Sequence, residues 1–279
     1  MTIHSHDEYQ PGEILPPPQG GYPPGDPRNA EPRLADARPA RQERSGWSFA
    51  AAPATYVLVG INMAVFVLMV LNGVSPMMPD TVQLLHWGAN YGLYVLNGQY
   101  WRLLTATFVH VGIIHIATNM WCLWNLGLLG EPLLGPWGLV AVYGLTGIAG
   151  NLLSIAINPQ VPGAGASGAV FGIAGVLIVL LSNKRLPIPW TELKRLRRSV
   201  IQFAVLNLVI GASTLAFHTS IRIDNMAHMG GFLSGLAIGV PLMPKMTLGR
   251  QKYLSRQKIT FAISAGLLAL FGYAIARVY

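Results

Sequence analysis

The sequence predicts an all-α polytopic membrane protein with seven transmembrane helices, and three observations lead to that fold class. Charged residues make up only 11% of the 279 residues, whereas ordinary soluble domains carry about 25%. Long stretches contain no charged residue, and a helix needs about 20 apolar residues to cross the hydrocarbon core. The basic residues are concentrated in two short loops, as is typical of the cytoplasmic side of membrane proteins.

Seven apolar stretches fit the seven spans, and two of them lie between Glu131 and Lys184. A polar and aromatic loop, 74–108, follows the first span, and a short Gly/Pro loop, 158–166, precedes the fourth. We place the spans at 54–73, 110–129, 137–157, 167–183, 199–217, 226–243 and 259–277.

The two basic loops predict the topology of the chain. They follow the fourth and sixth spans and contain Lys184, Arg185, Lys194, Arg195, Arg197 and Arg198, then Lys245, Arg250, Lys252, Arg256 and Lys258. Because cytoplasmic loops carry an excess of Lys and Arg, both loops and the N-terminus are expected in the cytoplasm, in a cell (plasma or inner) membrane. This placement also accounts for the net charge of +8, so the expected partner is the lipid bilayer rather than nucleic acid.

The chain divides into three segments by composition. Residues 1–46 hold nine of the 20 prolines and predict a disordered, Pro-rich cytoplasmic tail. Residues 47–245 form the core of six spans with the long outer loop 74–108, and 246–279 form a basic cytoplasmic loop and the seventh span. The single cysteine, Cys122, excludes an intramolecular disulfide and a thiolate metal cluster. No cofactor and no metal are expected.

Polar side chains inside three of the spans indicate a functional site, because such groups are costly in lipid. Span two holds His115 and Asn119, span four opens with Ser167, and span six carries His228 in its first turn. By the predicted topology all four lie at similar depth, toward the outer face of the membrane. A site at that depth is expected to open outward, where water can reach it.

These four residues supply what acyl-transfer chemistry requires. Serine is a weak nucleophile unless a base takes its proton, and histidine is the usual base, so Ser167 and His228 are the candidate catalytic dyad. A tetrahedral intermediate also needs hydrogen-bond donors for its oxyanion. Asn119 and His115 share one helix face. The backbone N–H of Ser167 lies in the first turn of a helix, where amide groups are unpaired.

Small residues predict close packing of spans four and six. Glycines spaced three or four residues apart let membrane helices approach closely. They occur in span four at Gly168, Gly172 and Gly175, and in span six at Gly231, Gly235 and Gly239. If these two faces meet, Ser167 and His228 come within hydrogen-bond reach.

Two neighbours of the dyad allow more than one interpretation. Asp224 lies four residues before His228 and is either the third member of a triad or the N-cap of span six; the cap is favoured, and with it a dyad. Phe171 lies one turn after Ser167. Its ring either packs against the His228 ring and orients it, or fills the core.

Three segments resemble the catalytic motifs of rhomboid proteases. Gly165 to Gly168, with the sequence GASG, resembles their GxSG nucleophile motif. The segment AHMGG, 227–231, continuing to Gly235, resembles their catalytic-histidine helix. The segment HIATN, 115–119, is similar to their HxxxN element.

Further segments extend the resemblance over residues 50–245, in the family's order. Trp101 and Arg102 resemble the WR motif of the family's first loop, and the segment FVH, 108–110, also fits. Glu131 and Gly135 look like the structural Glu and Gly pair that follows the second helix.

The resemblance implies a rhomboid-like six-helix bundle with a C-terminal seventh transmembrane helix. It also implies an intramembrane serine endopeptidase, without cofactor, that hydrolyses peptide bonds in or near the transmembrane segments of single-span membrane proteins. His115, Asn119 and the Ser167 amide would then hold the oxyanion. Substrate would enter laterally past span five and the loop near 218–225. The family often has Tyr where this chain has Phe171, which keeps the ring and loses a hydroxyl.

Two other functions fit parts of the pattern. A catalytically inactive rhomboid-like protein would bind membrane clients without cutting them, but such proteins usually lack the serine or the histidine, and this chain has both. A transporter would carry charged residues in mid-span or broken helices within repeats, and neither pattern is visible. The sequence carries no signal for the oligomeric state or for an individual substrate.

Overall fold

The fold is all-helical in the computed structural model, which describes residues 52–216, 224–245 and 247–279. Within those ranges the only strand-like pairing is an isolated bridge between Asn90 and Gly163. The predicted all-α fold class is therefore confirmed. In chain order the helices are α1 (Pro53–Leu71), α2 (Thr81–His86), α3 (Gly92–Leu96), α4 (Arg102–Thr105), α5 (Ile113–Leu134), α6 (Pro136–Ile157), α7 (Ser167–Leu180), α8 (Trp190–Ala216), α9 (Asn225–Leu242) and α10 (Arg250–Val278).

The long helices occupy the predicted spans, although several extend beyond them. Helix α5 begins later and ends later than the predicted 110–129, and α8 and α10 begin at Trp190 and Arg250 rather than at 199 and 259. The predicted bounds followed the apolar sequence, whereas these helices continue into polar and basic sequence. Among the described helices, three are long and apolar enough to cross a membrane, namely Pro53–Leu71, Pro136–Ile157 and Arg250–Val278.

Helix α7 forms the centre of the helical core, and 11 of its 14 residues are buried. It packs backbone to backbone against α9: a Cβ added at Gly231 would collide with the carbonyl oxygen of Gly168, and one at Gly235 with that of Gly172. The predicted contact between the two glycine faces is confirmed. A Cβ added at Gly172 itself would collide with Thr146 of α6, so α7 is closely packed on two sides.

Glu131 lies inside α5, not after the second helix as expected from the sequence, and its carboxylate caps another helix. It is buried and accepts hydrogen bonds from the backbone N–H groups of Ala54 and Thr55, at 2.9 and 2.8 Å. The Thr55 hydroxyl donates a third, at 2.7 Å. The first N–H groups of a helix lack partners and form the positive end of its dipole. Glu131 thereby joins α5 to the start of α1. The three hydrogen bonds and the positive end of the α1 dipole compensate the buried negative charge of the carboxylate.

Replacing Glu131 with alanine is expected to lower the free energy of unfolding by about 3 kcal/mol, because hydrogen bonds to a charged group are each worth roughly 1.5–3 kcal/mol. Glu131→Gln should lose less, since it keeps one acceptor oxygen. Thermal or denaturant unfolding of the protein in detergent would measure both. As a control, Glu192→Ala removes a carboxylate whose side chain is 51% exposed, and it should change stability little. An unchanged midpoint for Glu131→Ala would show that this cap contributes nothing.

Arg102 is buried in the first loop and holds its short helices together. Its guanidinium donates hydrogen bonds to the carbonyl oxygens of Leu85 and Ala89, at 2.6 and 3.1 Å. The same group lies over the rings of Tyr94 and Trp101, 4.7 and 4.6 Å from their centroids. Arginine keeps its charge and has five donors in a fixed geometry. One side chain therefore fixes segments from α2 to α4.

The first loop is in turn joined to the segment that leads into α7. Asn90 and Gly163 exchange two backbone hydrogen bonds, of 2.8 and 2.9 Å. The N–H of Gly165 donates to the carbonyl oxygen of Ala106 at 2.9 Å. The position of Ser167, two residues later, is thus set by the first loop as well as by α7.

Helix α10 is attached to the neighbouring helices near both of its ends. Gln257 donates a hydrogen bond to the carbonyl oxygen of Leu134 at 2.7 Å, and the Tyr279 hydroxyl donates to that of Ala156 at 3.2 Å. Between these points only 11% of its most apolar stretch is buried. Its middle is therefore only loosely packed against the other helices.

Candidate active site

Ser167 is the first residue of α7, and the turn before it has a conformation that favours glycine. Gly165 has φ of +129°, in the region that other residues rarely adopt. A Cβ there would also lie 2.6 Å from Cε1 and 2.9 Å from Nε2 of His115. The first glycine of the GASG segment is therefore needed both for the turn and for the approach of His115.

His228 lies in the first turn of α9 with only 5% of its surface exposed. Its ring stacks on that of Phe171, with centroids 4.4 Å apart and an angle of 16° between the planes. The interpretation in which Phe171 packs against the histidine is confirmed. Nδ1 of His228 is buried and has no hydrogen-bond partner among the described residues. The orientation of the ring is therefore fixed by stacking.

The structure brings the predicted catalytic and oxyanion residues to one cavity. Ser167, His228, His115 and Asn119 all line it, together with Asn207 of α8, and its volume is about 80 Å³. A water molecule occupies roughly 30 Å³, so the cavity has room for more than one. No hydrogen bond joins the Ser167 and His228 side chains within the described ranges; such bonds often tighten only when substrate binds.

His115 is oriented by its own backbone neighbourhood. The N–H of Val111 donates to Nδ1 of His115 at 3.2 Å, which assigns the ring proton of the neutral imidazole to Nε2. That Nε2 lies against Gly165, two residues from Ser167. Asn119 donates one amide hydrogen to the His115 carbonyl oxygen at 2.9 Å, which leaves its second hydrogen for another acceptor.

His110 has a structural position that the sequence analysis did not assign. It is completely buried, its Nδ1 is 3.2 Å from the Phe108 carbonyl oxygen, and its Nε2 accepts from the N–H of Ala166 at 3.4 Å. It thereby links the end of the first loop to the residue before Ser167. The signal in the sequence is a second histidine five residues before His115, within the FVH segment that resembles the family.

Asp224 caps α9, as favoured from the sequence. One carboxylate oxygen accepts from the N–H of Ala227 at 2.9 Å, and the other accepts from the Ser154 hydroxyl at 2.5 Å. Because both oxygens are engaged away from His228, Asp224 fixes the start of the histidine helix instead of pairing with the ring. Ser154, on α6, was not identified from the sequence, since a lone serine near a helix end carries no distinctive signal.

A second, larger cavity of about 350 Å³ lies beside the first. Ser167 and His115 line both, and Asn151 and Asp224 are among the polar groups of the larger one. Ser167 therefore borders a cleft whose lining is mainly apolar but includes these polar groups. Within the described residues, no three His, Cys, Asp or Glu side chains are grouped as metal ligands.

Comparison with known proteins gives the family. The Rhomboid domain model matches residues 97–245, which is more than half of the chain. This chain belongs to the rhomboid family. The matched segment contains every residue that the sequence analysis placed in or near the site, from Trp101 to Gly235, and it leaves α1 and α10 outside. Family membership and the apolar helices together make this a multi-pass membrane protein.

Individual relatives are similar over part of their own length. The chain is 33% identical to "Rhomboid protease GluP" of Bacillus subtilis over 216 residues, which are 77% of this chain and 39% of that protein. It is 33% identical to "RHOMBOID-like protein 2" of Arabidopsis thaliana over 192 residues, 64% of this chain and 57% of that protein. It is 29% identical to "Rhomboid-like protease 2" of Toxoplasma gondii over 185 residues, 64% and 62% respectively. The chain thus spans less than two thirds of each.

Proposed function

We propose that this rhomboid-family protein is an intramembrane serine endopeptidase that uses Ser167 and His228 as a dyad. The observation that carries the proposal is the shared cavity. In it a serine at a helix N-terminus meets a histidine that Phe171 holds by stacking, beside two candidate oxyanion donors. The family includes relatives named as proteases, which agrees with this assignment.

In the proposed first step, the Ser167 hydroxyl oxygen attacks the carbonyl carbon of the scissile bond while the His228 ring takes its proton. The tetrahedral intermediate collapses as the C–N bond breaks and His228 returns the proton to the leaving amine. In the second step a water molecule loses a proton to His228 and attacks the acyl-enzyme. The peptide acid leaves and Ser167 regains its proton, so the enzyme returns to its starting state.

The developing oxyanion would be held by the backbone N–H of Ser167, Nε2–H of His115 and the second amide hydrogen of Asn119. The first N–H groups of α7 have no partner inside the helix, and its dipole adds positive potential. The two side chains project from consecutive turns of α5 into the same cavity. The larger cavity beside it, with Asn151 and Asp224 in its lining, supplies a route for the water that hydrolysis requires.

The proposed substrates are single-span membrane proteins, cut in or near the transmembrane segment. The larger cavity is lined on one side by Asn207 of α8, which agrees with lateral entry past span five. The other predicted element of the entrance, the loop near 218–225, lies mostly outside the described residues. A cytoplasmic N-terminus, a site open to the outer face and a cell-membrane location remain parts of this proposal.

The alternative is a catalytically inactive, client-binding membrane protein. The observation in its favour is that the Ser167 and His228 side chains are not hydrogen-bonded within the described ranges.

A fluorophosphonate probe separates the two functions, because the serine oxygen must displace fluoride from phosphorus, which needs an activated hydroxyl. We expect labelling at Ser167, none in Ser167→Ala, and strongly reduced labelling in His228→Ala. Ser199→Ala, at an exposed position of α8, should label like the wild type. Absence of labelling in folded wild-type protein would favour the inactive alternative.

Removal of one oxyanion donor is expected to lower kcat by about 10²–10³-fold with little change in KM, because the donor acts mainly in the transition state. His115→Ala should show this loss, and Asn119→Ala a loss in the same direction. Asn125→Ala is the matched control: Asn125 is exposed on the same helix and donates to the Trp121 carbonyl oxygen at 2.7 Å, as Asn119 does to that of His115. Wild-type kcat in both Asn119→Ala and His115→Ala would remove these residues from the mechanism.

A further inference from the structure

An apolar groove separates the middle of α10 from α6. It has a volume of about 440 Å³ and an almost entirely apolar lining. From α6 it is lined by Leu145, Ile148, Leu152 and Ile155, a single helix face. From α10 the lining residues are mainly small, among them Ala265, Ala269, Gly272 and Ala276, which is why the helices leave a space.

The first loop closes a third side of the groove. Val95, Leu96, Tyr100 and Leu103 contribute this wall. Tyr279, just after α10, donates a hydrogen bond to the carbonyl oxygen of Ala156, near the end of α6. Helix α7 begins with Ser167 at the same end of the bundle at which α6 ends, so the Tyr279 end of the groove lies on the same side of the protein as Ser167. The groove therefore runs from this end of the helical bundle toward the middle of α10.

The basic side chain of Arg277 lies at the surface end of the groove. Nε of Arg277 donates a hydrogen bond to the hydroxyl of Tyr273 at 3.0 Å, and Tyr273 lines the groove. Arg277 has no acidic partner within the described ranges. Tyr100 and Tyr273, both 59% exposed, stand at the rim, where amphipathic rings commonly mark the level of lipid headgroups.

We propose that this groove is a binding site for one membrane phospholipid, with an acyl chain between α10 and α6 and the headgroup phosphate on Arg277. The volume lies within the roughly 300–1,000 Å³ of ligand pockets. A single acyl chain is narrower than a transmembrane helix, which has a diameter of roughly 10 Å with its side chains. The lipid would join α10, which lies outside the matched family segment, to the rest of the bundle.

Photo-crosslinking of the full chain in phosphatidylcholine vesicles tests this proposal. The vesicles contain a small fraction of phosphatidylglycerol with a diazirine on its acyl chain, and peptide mass spectrometry locates the adducts. We expect adducts to concentrate on 145–155 and 265–276. Ala269→Trp should nearly abolish them by filling the groove. Leu267→Trp, at a position 61% exposed on another face of α10, should leave them unchanged.

Substitutions of Arg277 test the proposed headgroup contact without disturbing the core. Arg277→Gln should reduce groove adducts about fivefold, because one basic residue near an anionic lipid surface is worth about 1 kcal/mol, and Arg277→Lys should retain most of them. Diacylglycerol with the same chain should label the groove less than phosphatidylglycerol. Adducts spread evenly over α10, equal labelling in Ala269→Trp, equal labelling by diacylglycerol, or a crosslinked second copy of the chain in place of lipid would each overturn the proposal.

Discussion

Replacing Gly231 with leucine is expected to abolish peptide-bond cleavage. A Cβ at this position already collides with the backbone carbonyl oxygen of Gly168, the residue after Ser167. A backbone atom of a central helix cannot move aside as the end of a flexible side chain can. The start of α7 must therefore shift away from α9, and Ser167 separates from His228. Overpacking of a well-packed core costs about 1–3 kcal/mol or more, so reduced stability should accompany the loss.

Two comparisons separate this local effect from general misfolding. Gly60→Leu introduces the same side chain on α1, at a position with no atom within 4 Å of an added Cβ, and should keep activity. Gly239→Ala lies on the same face of α9, but its Cβ would lie 2.9 Å from Cβ of Val179 and 3.3 Å from the backbone of Val176, less close than the collision at Gly231, and should lose much less than Gly231→Ala. Cleavage by Gly231→Leu at the wild-type rate would contradict the close packing of α7 on α9.

The sequence predicted those parts of the fold that depend on hydropathy and on the spacing of small residues. Charge-free stretches located the long helices, and glycine spacing identified the contact between α7 and α9. The helix ends were missed where a helix continues beyond the apolar stretch, as at Trp190 and Arg250. The short helices of the first loop were also missed, since four to six residues of mixed sequence carry no periodic signal.

For the candidate site, the sequence was informative where a polar residue is out of place in an apolar span. His115, Asn119, Ser167 and His228 were identified that way, and the structure places all four at one cavity. Contacts between distant segments were not predictable from local pattern. One example is the hydrogen bond that the Glu131 carboxylate accepts from the N–H of Thr55, 76 residues away. Another is the hydrogen bond that His110 accepts from the N–H of Ala166, the residue before Ser167. Both depend on which helices become neighbours, which no local rule determines.

Replacing either member of the proposed dyad is expected to have the largest effect on activity. Without Ser167 there is no nucleophile, and without His228 its hydroxyl keeps its proton. In serine proteases, removal of such a residue lowers kcat by about 10⁴–10⁶-fold and leaves a small residual rate. Neither change should unfold the protein. Ser167→Ala removes one oxygen beside a cavity, and His228→Phe, which retains a ring for stacking on Phe171, serves as a folded counterpart of His228→Ala.

The most direct test of the Ser167 and His228 dyad is cleavage of a model single-span membrane substrate in liposomes by wild type, Ser167→Ala, His228→Ala and His228→Phe. Thermal unfolding of each variant in the same preparation establishes that it is folded. We expect a single set of products from the wild type and none above background from the folded variants. Cleavage by folded Ser167→Ala at the wild-type rate would contradict the central claim that Ser167 is the nucleophile.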